Sequence, residues 1–150
     1  MPSSWTQNYY HLVFGTKHRE RVITPELHER LYPFMGGILR EHRAQLIAGN
    51  GMPEHVHLFI RFPADLARAV MAREVKSRSS GWIHETFPGM GAFAWQRGYG
   101  GFTVSRSLSD DVERYVREQR RHHESMSFEE EFLGLLRKHE VEFDERYVFD

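Results

Sequence analysis

Two helical stretches, each set between strand-like runs, constrain this chain most tightly. Residues 9–14, YYHLVF, are aromatic, β-branched and apolar on both faces, as a central strand should be. Thr24-Pro25 then opens a helix, with a capping residue followed by proline in the first turn. Leu27, Leu31, Phe34, Met35, Ile38 and Leu39 form its apolar stripe. Pro33 and Gly36-Gly37 fit that stripe poorly and predict a kink or break. Residues 44–48, AQLIA, read as a second strand, Gly49-Asn50-Gly51 as a turn, and residues 55–62, HVHLFIRF, as a third strand. Asp65 is placed to cap a helix running to about residue 84, with Leu66, Ala69, Val70 and Trp82 on or near one face. The glycine-rich stretch 87–101 is expected to hold a strand around 92–96 and a turn, with FTVS (102–105) returning. The order β-α-β-β-α-β is the outline of a ferredoxin-like α+β sandwich.

Two further helices follow. Ser107 or Ser109 caps the first, about 109–122, with Val112, Tyr115 and Val116 at helical spacing. Ser127 and Glu130 make a capping box for the second, with Phe128, Phe132, Leu135 and Leu136 inward. The final VEFDERYVF reads as an extended tail docking on the body or on a partner. One domain over 1–150 is expected, with a core at about 5–123 and a C-terminal helix and tail at 124–150. With no cysteine, the chain cannot use a disulfide scaffold, a thiolate zinc finger or a cysteine nucleophile. No run is apolar enough for a membrane span, and MPSSWTQNYYHLVF lacks a leader's basic-then-apolar order, so a soluble cytoplasmic protein is the expectation. Charge is uneven. Residues 122–150 carry nine acidic and three basic residues, whereas 61–121 carry 11 Lys/Arg against seven Asp/Glu. A mildly basic body with an acidic tail suits polyanion binding, although an ordinary solvated surface explains the same numbers.

The chemistry starts at MPEHVHLFI, residues 52–60. Alternation in a strand sends Val56, Leu58 and Ile60 to one face and His55, His57 and Phe59 to the other. Alternate residues lie about 6.6–7 Å apart, so two imidazoles can lean toward one ion between them. Imidazole suits zinc, manganese, iron, nickel or copper better than calcium. Two half-exposed histidines facing a solvated groove would give the same pattern. A third ligand must come from elsewhere, and VERYVREQRRHH (112–123) offers Tyr115 and Gln119 at i and i+4. A carboxamide oxygen is an acceptable ligand, and the phenol beside it a possible nucleophile. Tyr115 as core packing is the competing reading, and His122 and His123 are competing ligands.

Taken together, NGMPEHVHLFIRFP (50–63), VKSRSSGWI (75–83), FAWQRGYGGFTVS (93–105) and VERYVREQRRHH (112–123) resemble the single-tyrosine HUH transposases. These are IS200-like enzymes of bacterial insertion sequences and their REP-associated relatives, and the likeness runs from about residue 5 to the end. The resemblance implies an antiparallel ferredoxin-like sheet with helices packed on one face. It implies His55, His57 and Gln119 as ligands of Mg²⁺ or Mn²⁺, and Tyr115 as nucleophile. It further implies a homodimer and a single-stranded DNA substrate carrying a hairpin. The helix and tail after residue 125 depart from the shortest members, leaving open whether the tyrosine helix docks in cis or swaps between subunits.

Such chemistry would need phosphate contacts and stacking surfaces. Arg73, Lys76, Arg78, Arg97, Arg106 and Arg114 are candidate phosphate ligands, and Trp95, Tyr99 and Phe102 candidate stacking partners. Each has an ordinary alternative as a solvated charge or a core aromatic. WQRGYGG is favoured among them because glycines let backbone approach a ligand closely. Two other functions remain open: a metal-dependent phosphodiesterase that uses water, and a non-catalytic hairpin-binding protein. The first has no need of Tyr115, and the second no need of any of the four residues.

Overall fold

The computed structural model describes residues 3–150; Met1 and Pro2, the start of the segment read for a leader, lie outside the described residues. Its sheet has four antiparallel strands: β1 (Asn8–Gly15), β2 (Gln45–Met52), β3 (His55–Phe62) and β4 (Gly100–Val104), in the order β2-β3-β1-β4. The chain is α+β with the expected crossovers. α1 (Pro25–Glu41) joins β1 to β2, and α2 (Arg68–Thr86) joins β3 toward β4. β1 is central, as its two-sided apolar character requires, pairing Leu12 with Leu58 of β3 and with Gly101 of β4.

One face of the sheet presents Leu12, Phe14, Val56, Leu58 and Ile60 to α1 and α2, whose Leu27, Leu31, Met35, Ile38, Met71, Val75 and Ile83 complete the main core. Thr24 caps α1 by accepting from the Leu27 amide at 3.2 Å. Pro33 does not break this helix, which runs unbroken through Gly36 and Gly37. Its lost hydrogen bond and ring clash cost about 3 kcal/mol. Fully burying each of Leu27, Leu31, Met35, Ile38 and Leu39 contributes about 1.5–3 kcal/mol, so packing wins.

The opposite face is covered too. α3 (Ser109–Arg117), a single turn α4 (Gln119–His122) and α5 (Phe128–Lys138) lie there. Val116 packs with Tyr9, Ala48 and Phe59, whereas Phe128, Phe132 and Leu136 pack with Val13 and Phe102. The expected capping box is present: Ser127 Oγ accepts from the Glu130 amide at 3.1 Å. The tail returns over α5, where Phe149 meets Phe132 at 5.6 Å between centroids and the Asp150 carbonyl accepts from the Gly98 amide at 2.9 Å.

Several sequence expectations are corrected. β2 does not end at residue 48 but continues through the predicted turn to Met52, and the chain reverses at Pro53-Glu54. Gly51 explains the extension: a Cβ there would lie 2.1 Å from the His55 carbonyl oxygen and 2.7 Å from the Tyr32 hydroxyl, so only glycine lets these strands approach. Residues 92–96 make one isolated bridge, Thr16 to Trp95, rather than a strand. Asp65 does not cap α2, which starts at Arg68 with Ala67 in the capping position; its carboxylate instead accepts from the Arg43 guanidinium at 2.8 and 2.7 Å. The 109–122 helix is interrupted at Glu118, with ψ at 26°. Among the described residues no helix is long and apolar enough to cross a membrane.

Candidate active site

The second sheet face carries a polar island. His55 and His57 lie side by side on β3, fully buried, with ring centroids 5.1 Å apart. Both rings are held from behind. His55 Nδ1 lies 2.8 Å from Glu54 Oε1, and the other oxygen of this buried carboxylate accepts from Arg21. His57 Nδ1 lies 2.8 Å from Nε2 of His11, which β1 delivers across the strand pair, its own direct partner being Phe59. Carboxylate or imidazole support behind a ligand histidine fixes both its tautomer and its orientation. The two Nε2 atoms therefore face the same space.

Glu131, from α5, fills that space and is 2% exposed. Its Oε1 lies 2.9 Å from His57 Nε2, 2.9 Å from His123 Nε2 and 3.3 Å from His55 Nε2. Its Oε2 accepts from the Tyr115 hydroxyl. Tyr115 is thus tied, through Glu131, to the histidines of the same chain. Its ring stacks on His122 at 4.4 Å and borders a cavity of about 510 Å³ with His11, Phe102, Glu131 and His139. Gln119 is buried between the two motifs. Its Oε1 lies 3.3 Å from His55 Nε2, and its Nε2 donates to the Tyr115 carbonyl at 3.3 Å.

Burial and charge determine the protonation states. Burial alone would raise the Glu131 carboxyl, but hydrogen bonds from His123, His55 and His57 outweigh it and hold it well below the carboxylate range. Burial disfavours the His55 cation as well, yet Glu131 and Glu54 on its two sides raise it above the usual histidine value. Burial dominates at His57, lowering it to about 4, and at His11, which is also lowered. The Tyr115 phenol is pushed far above its ordinary value by burial and by the Glu131 charge.

The donor set fits a first-row divalent cation. One atom from each of His55, His57, His123 and Glu131 lies within 4.8 Å of every other. Around an octahedral ion at about 2.1 Å, neighbouring ligand atoms sit about 3.0 Å apart and opposite ones about 4.2 Å. The Glu131-to-imidazole distances of 2.9–3.3 Å match the first spacing, and no two of the four donor atoms are more than 4.8 Å apart. Nitrogen-rich donors with one carboxylate suit manganese or zinc better than calcium.

A family model described as IS200-like transposase matches residues 4–119, which is most of the chain.

The chain belongs to the IS200-like transposase family.

Among curated relatives of this transposase chain, the ISDra2 transposase TnpA of Deinococcus radiodurans is 24% identical over 115 residues, covering 73% of this chain and 82% of that protein. A solved protein of D. radiodurans R1, assigned as a transposase, shares the fold with a TM-score of 0.66 at 23% identity, over 79% of this chain and 95% of that one. A REP-associated tyrosine transposase bound to a REP hairpin gives 0.55 at 15% identity, over 77% and 67% of the two chains.

Of the residues expected in the transposase site, His55, His57, Tyr115 and Gln119 converge within one chain. The DNA-contact candidates separate. Arg73, Lys76, Arg97 and Tyr99 line one groove of about 460 Å³ beside α2. Lys76 donates to the Arg97 and Gly98 carbonyls at 2.9 and 2.8 Å, and burial lowers its amine to about 8. Arg78 pairs with Glu41 instead, while Arg106 and Arg114 sit beside Asp110 and Asp111 near α3. Trp95 and Phe102 are buried and committed to protein partners, with only an edge of each reaching a cavity: the Trp95 indole donates to Ser79 Oγ at 2.9 Å, and Phe102 stacks on His139. Sequence reasoning missed Glu54, His11 and Glu131, and weighed His123 only as a competitor. Glu131 had left a signal: it lies three residues after Phe128 and next to Phe132, a carboxylate on an apolar stripe.

Proposed function

We propose that this family member cleaves and rejoins single-stranded DNA through a 5′-phosphotyrosine intermediate formed on Tyr115, with a divalent cation held by His55 and His57. The observation that carries this reading is the Tyr115 hydroxyl facing, through one carboxylate, the two strand imidazoles. A hydrolase using water would have no need of a phenol there.

His55, His57 and Gln119 would hold the cation, with Mn²⁺ or Mg²⁺ the ions of choice for a phosphodiester. When bound, it supplies charge neutralisation to a non-bridging phosphate oxygen and orients the in-line displacement. The protein does the rest. Glu54 and His11 keep the imidazoles aimed, and α3 presents the phenol from the side of the open cavity. In the chemical step the Tyr115 oxygen joins phosphorus and the bond to the 3′ oxygen breaks. The phenolic proton leaves the tyrosine, and the departing oxygen takes one to become a 3′-hydroxyl. The phosphotyrosine conserves a phosphoester bond, so another 3′-hydroxyl can reverse the step on a new strand without a nucleotide cofactor.

The hairpin carried by the REP-associated relative supports a structured single strand as substrate here. Arg73, Lys76, Arg97 and Tyr99, which share one groove, are proposed to grip its backbone and bases. Arg78, Arg106, Arg114 and Trp95 have protein partners and are proposed only for secondary contacts. A homodimer would provide a tyrosine for each of two strand ends.

The test uses a pool of 3′-labelled single-stranded oligonucleotides with a hairpin flanked by randomised sequence, plus Mn²⁺. Wild type is expected to give an SDS-resistant labelled protein, lost in Tyr115→Phe. Cleavage without an adduct would support the water-using phosphodiesterase, and retention without cleavage a binding protein.

A further inference from the structure

α5 lies beyond residues 4–119, yet it brings a carboxylate to the centre of the site. We propose that Glu131 both ligates the cation through Oε1 and positions the Tyr115 hydroxyl against it through Oε2, making α5 part of the catalytic centre. This rests on the phosphotyrosine reading above.

Geometry and burial both point to this role. An ionised carboxylate withdrawn from water costs several kcal/mol unless it is fully paired. Here it sits among three imidazole nitrogens and a phenol. Those imidazoles cannot all turn away, because Glu54 and His11 hold His55 and His57 at their far nitrogens. Nor is α5 loosely laid on. Phe128 stacks on the His55 ring at 4.2 Å and 12°, Phe132 packs against Gly100, and the capping box fixes the helix start. Glu131 is therefore clamped between two anchored rings. Gln119 makes one 3.3 Å approach to the imidazoles and commits its amide to the Tyr115 carbonyl. Glu131 reaches three imidazoles and the nucleophile together, which no other side chain at the site does among the described residues. A cation bound beside Oε1 would draw the carboxylate toward itself and carry the tethered phenol into its field. Binding of the ion and placement of the nucleophile would then be one event.

The experiment measures two quantities on the full chain: Mn²⁺ affinity from the free-ion paramagnetic resonance signal, and the adduct rate at saturating Mn²⁺ with the labelled hairpin pool. Wild type, Glu131→Gln, Glu131→Asp and His123→Gln are compared after thermal melts establish that each folds. Glu131→Gln is expected to weaken Mn²⁺ binding about tenfold or more and to leave the adduct rate down at least tenfold at saturation. His123→Gln should weaken binding but recover most of its rate at saturation. Should Glu131→Gln not fold, Glu131→Asp decides between the outcomes: it keeps the charge and shortens the reach, so it should hold Mn²⁺ but form adduct slowly. Unchanged Mn²⁺ affinity in Glu131→Gln, or full recovery of its rate at saturation, overturns the proposal, as does an adduct rate above wild type. If wild type forms no adduct, the phosphotyrosine reading fails, and the proposal with it. The Mn²⁺ arm would then show separately whether Glu131 is a ligand.

Discussion

His11 Nε2 lies 2.8 Å from His57 Nδ1 across two neighbouring strands, so a histidine that touches no cation sets the direction of one that would. With His57 bonded at Nδ1, only its Nε2 edge remains for the ion. His11→Phe removes that support while filling the space. We expect it to weaken Mn²⁺ binding by about 10–100-fold with the fold intact. Calorimetric titration of Mn²⁺ into the variant checks this; an unchanged affinity would reduce His11 to packing.

Glu54 plays the same part for His55 and also anchors Arg21. Glu54→Gln keeps the shape and one hydrogen bond but removes the charge. Mn²⁺ affinity is expected to drop about tenfold, with a smaller loss in melting temperature than for Glu54→Ala. An unchanged Mn²⁺ affinity in Glu54→Gln would contradict an electrostatic role.

Acidification should destabilise the metal-free protein. His57 is lowered to about 4 and His11 is also lowered, so both stay neutral in the fold while unfolded histidines protonate near 6.5. The unfolded chain thus binds more protons between about 6.5 and 4. Their contribution is complete above about 6.5 and drains away as pH falls toward 4. His55 runs the other way: raised in the fold, it stabilises fully below about 6.5 and loses that as pH climbs through its folded value. His28 and His139, also lowered by burial, act in the same direction as His57 and His11, so four histidines against one leave a net loss on acidification. Melting curves in EDTA should show a lower midpoint at pH 5 than at pH 7. Mn²⁺, which must displace the His55 proton, should bind more tightly at pH 8 than at pH 6.

The helix that carries Glu131 begins at the Ser127 cap. Ser127→Ala should cost about 1 kcal/mol, or roughly 2–4 °C in melting temperature. Amide exchange should quicken over residues 128–138 more than in the sheet. Uniform exchange across the chain would mean that α5 has no separate stability.

Charge removal in the α2 groove should act on binding rather than chemistry. Arg73→Gln with Arg97→Gln is expected to weaken hairpin binding and to lower the salt slope by about one to two. The Mn²⁺ affinity should stay at the wild-type value. A slope equal to wild type would move the DNA path elsewhere.

How much of this was readable depended on how local the signal was. Alternation along HVHLFIRF predicted the pairing of His55 and His57 on one face, and the i, i+4 spacing brought Tyr115 and Gln119 near each other despite the break at Glu118. Ser127 and Glu130 announced their helix because a capping box closes within four residues. Long-range packing was not legible. Pro33 looked like a breaker because the energy that carries α1 past it comes from the sheet. His11 lies 46 residues from His57 and Glu131 lies 74, so their meeting depends on strand order and on which face receives α5. Trp95 looked like a stacking platform because its neighbours are glycines, whereas Phe14 and Phe93 enclose its ring edge-on at 4.8 Å.

The most direct test digests the adduct formed with labelled hairpin DNA and Mn²⁺, then sequences the nucleotide-bearing peptide by mass spectrometry. Phosphotyrosine chemistry predicts a 5′-phosphonucleotide on the oxygen of Tyr115 and on no other residue. A nucleotide mapped to a different side chain, or cut DNA with every peptide unmodified, would contradict it.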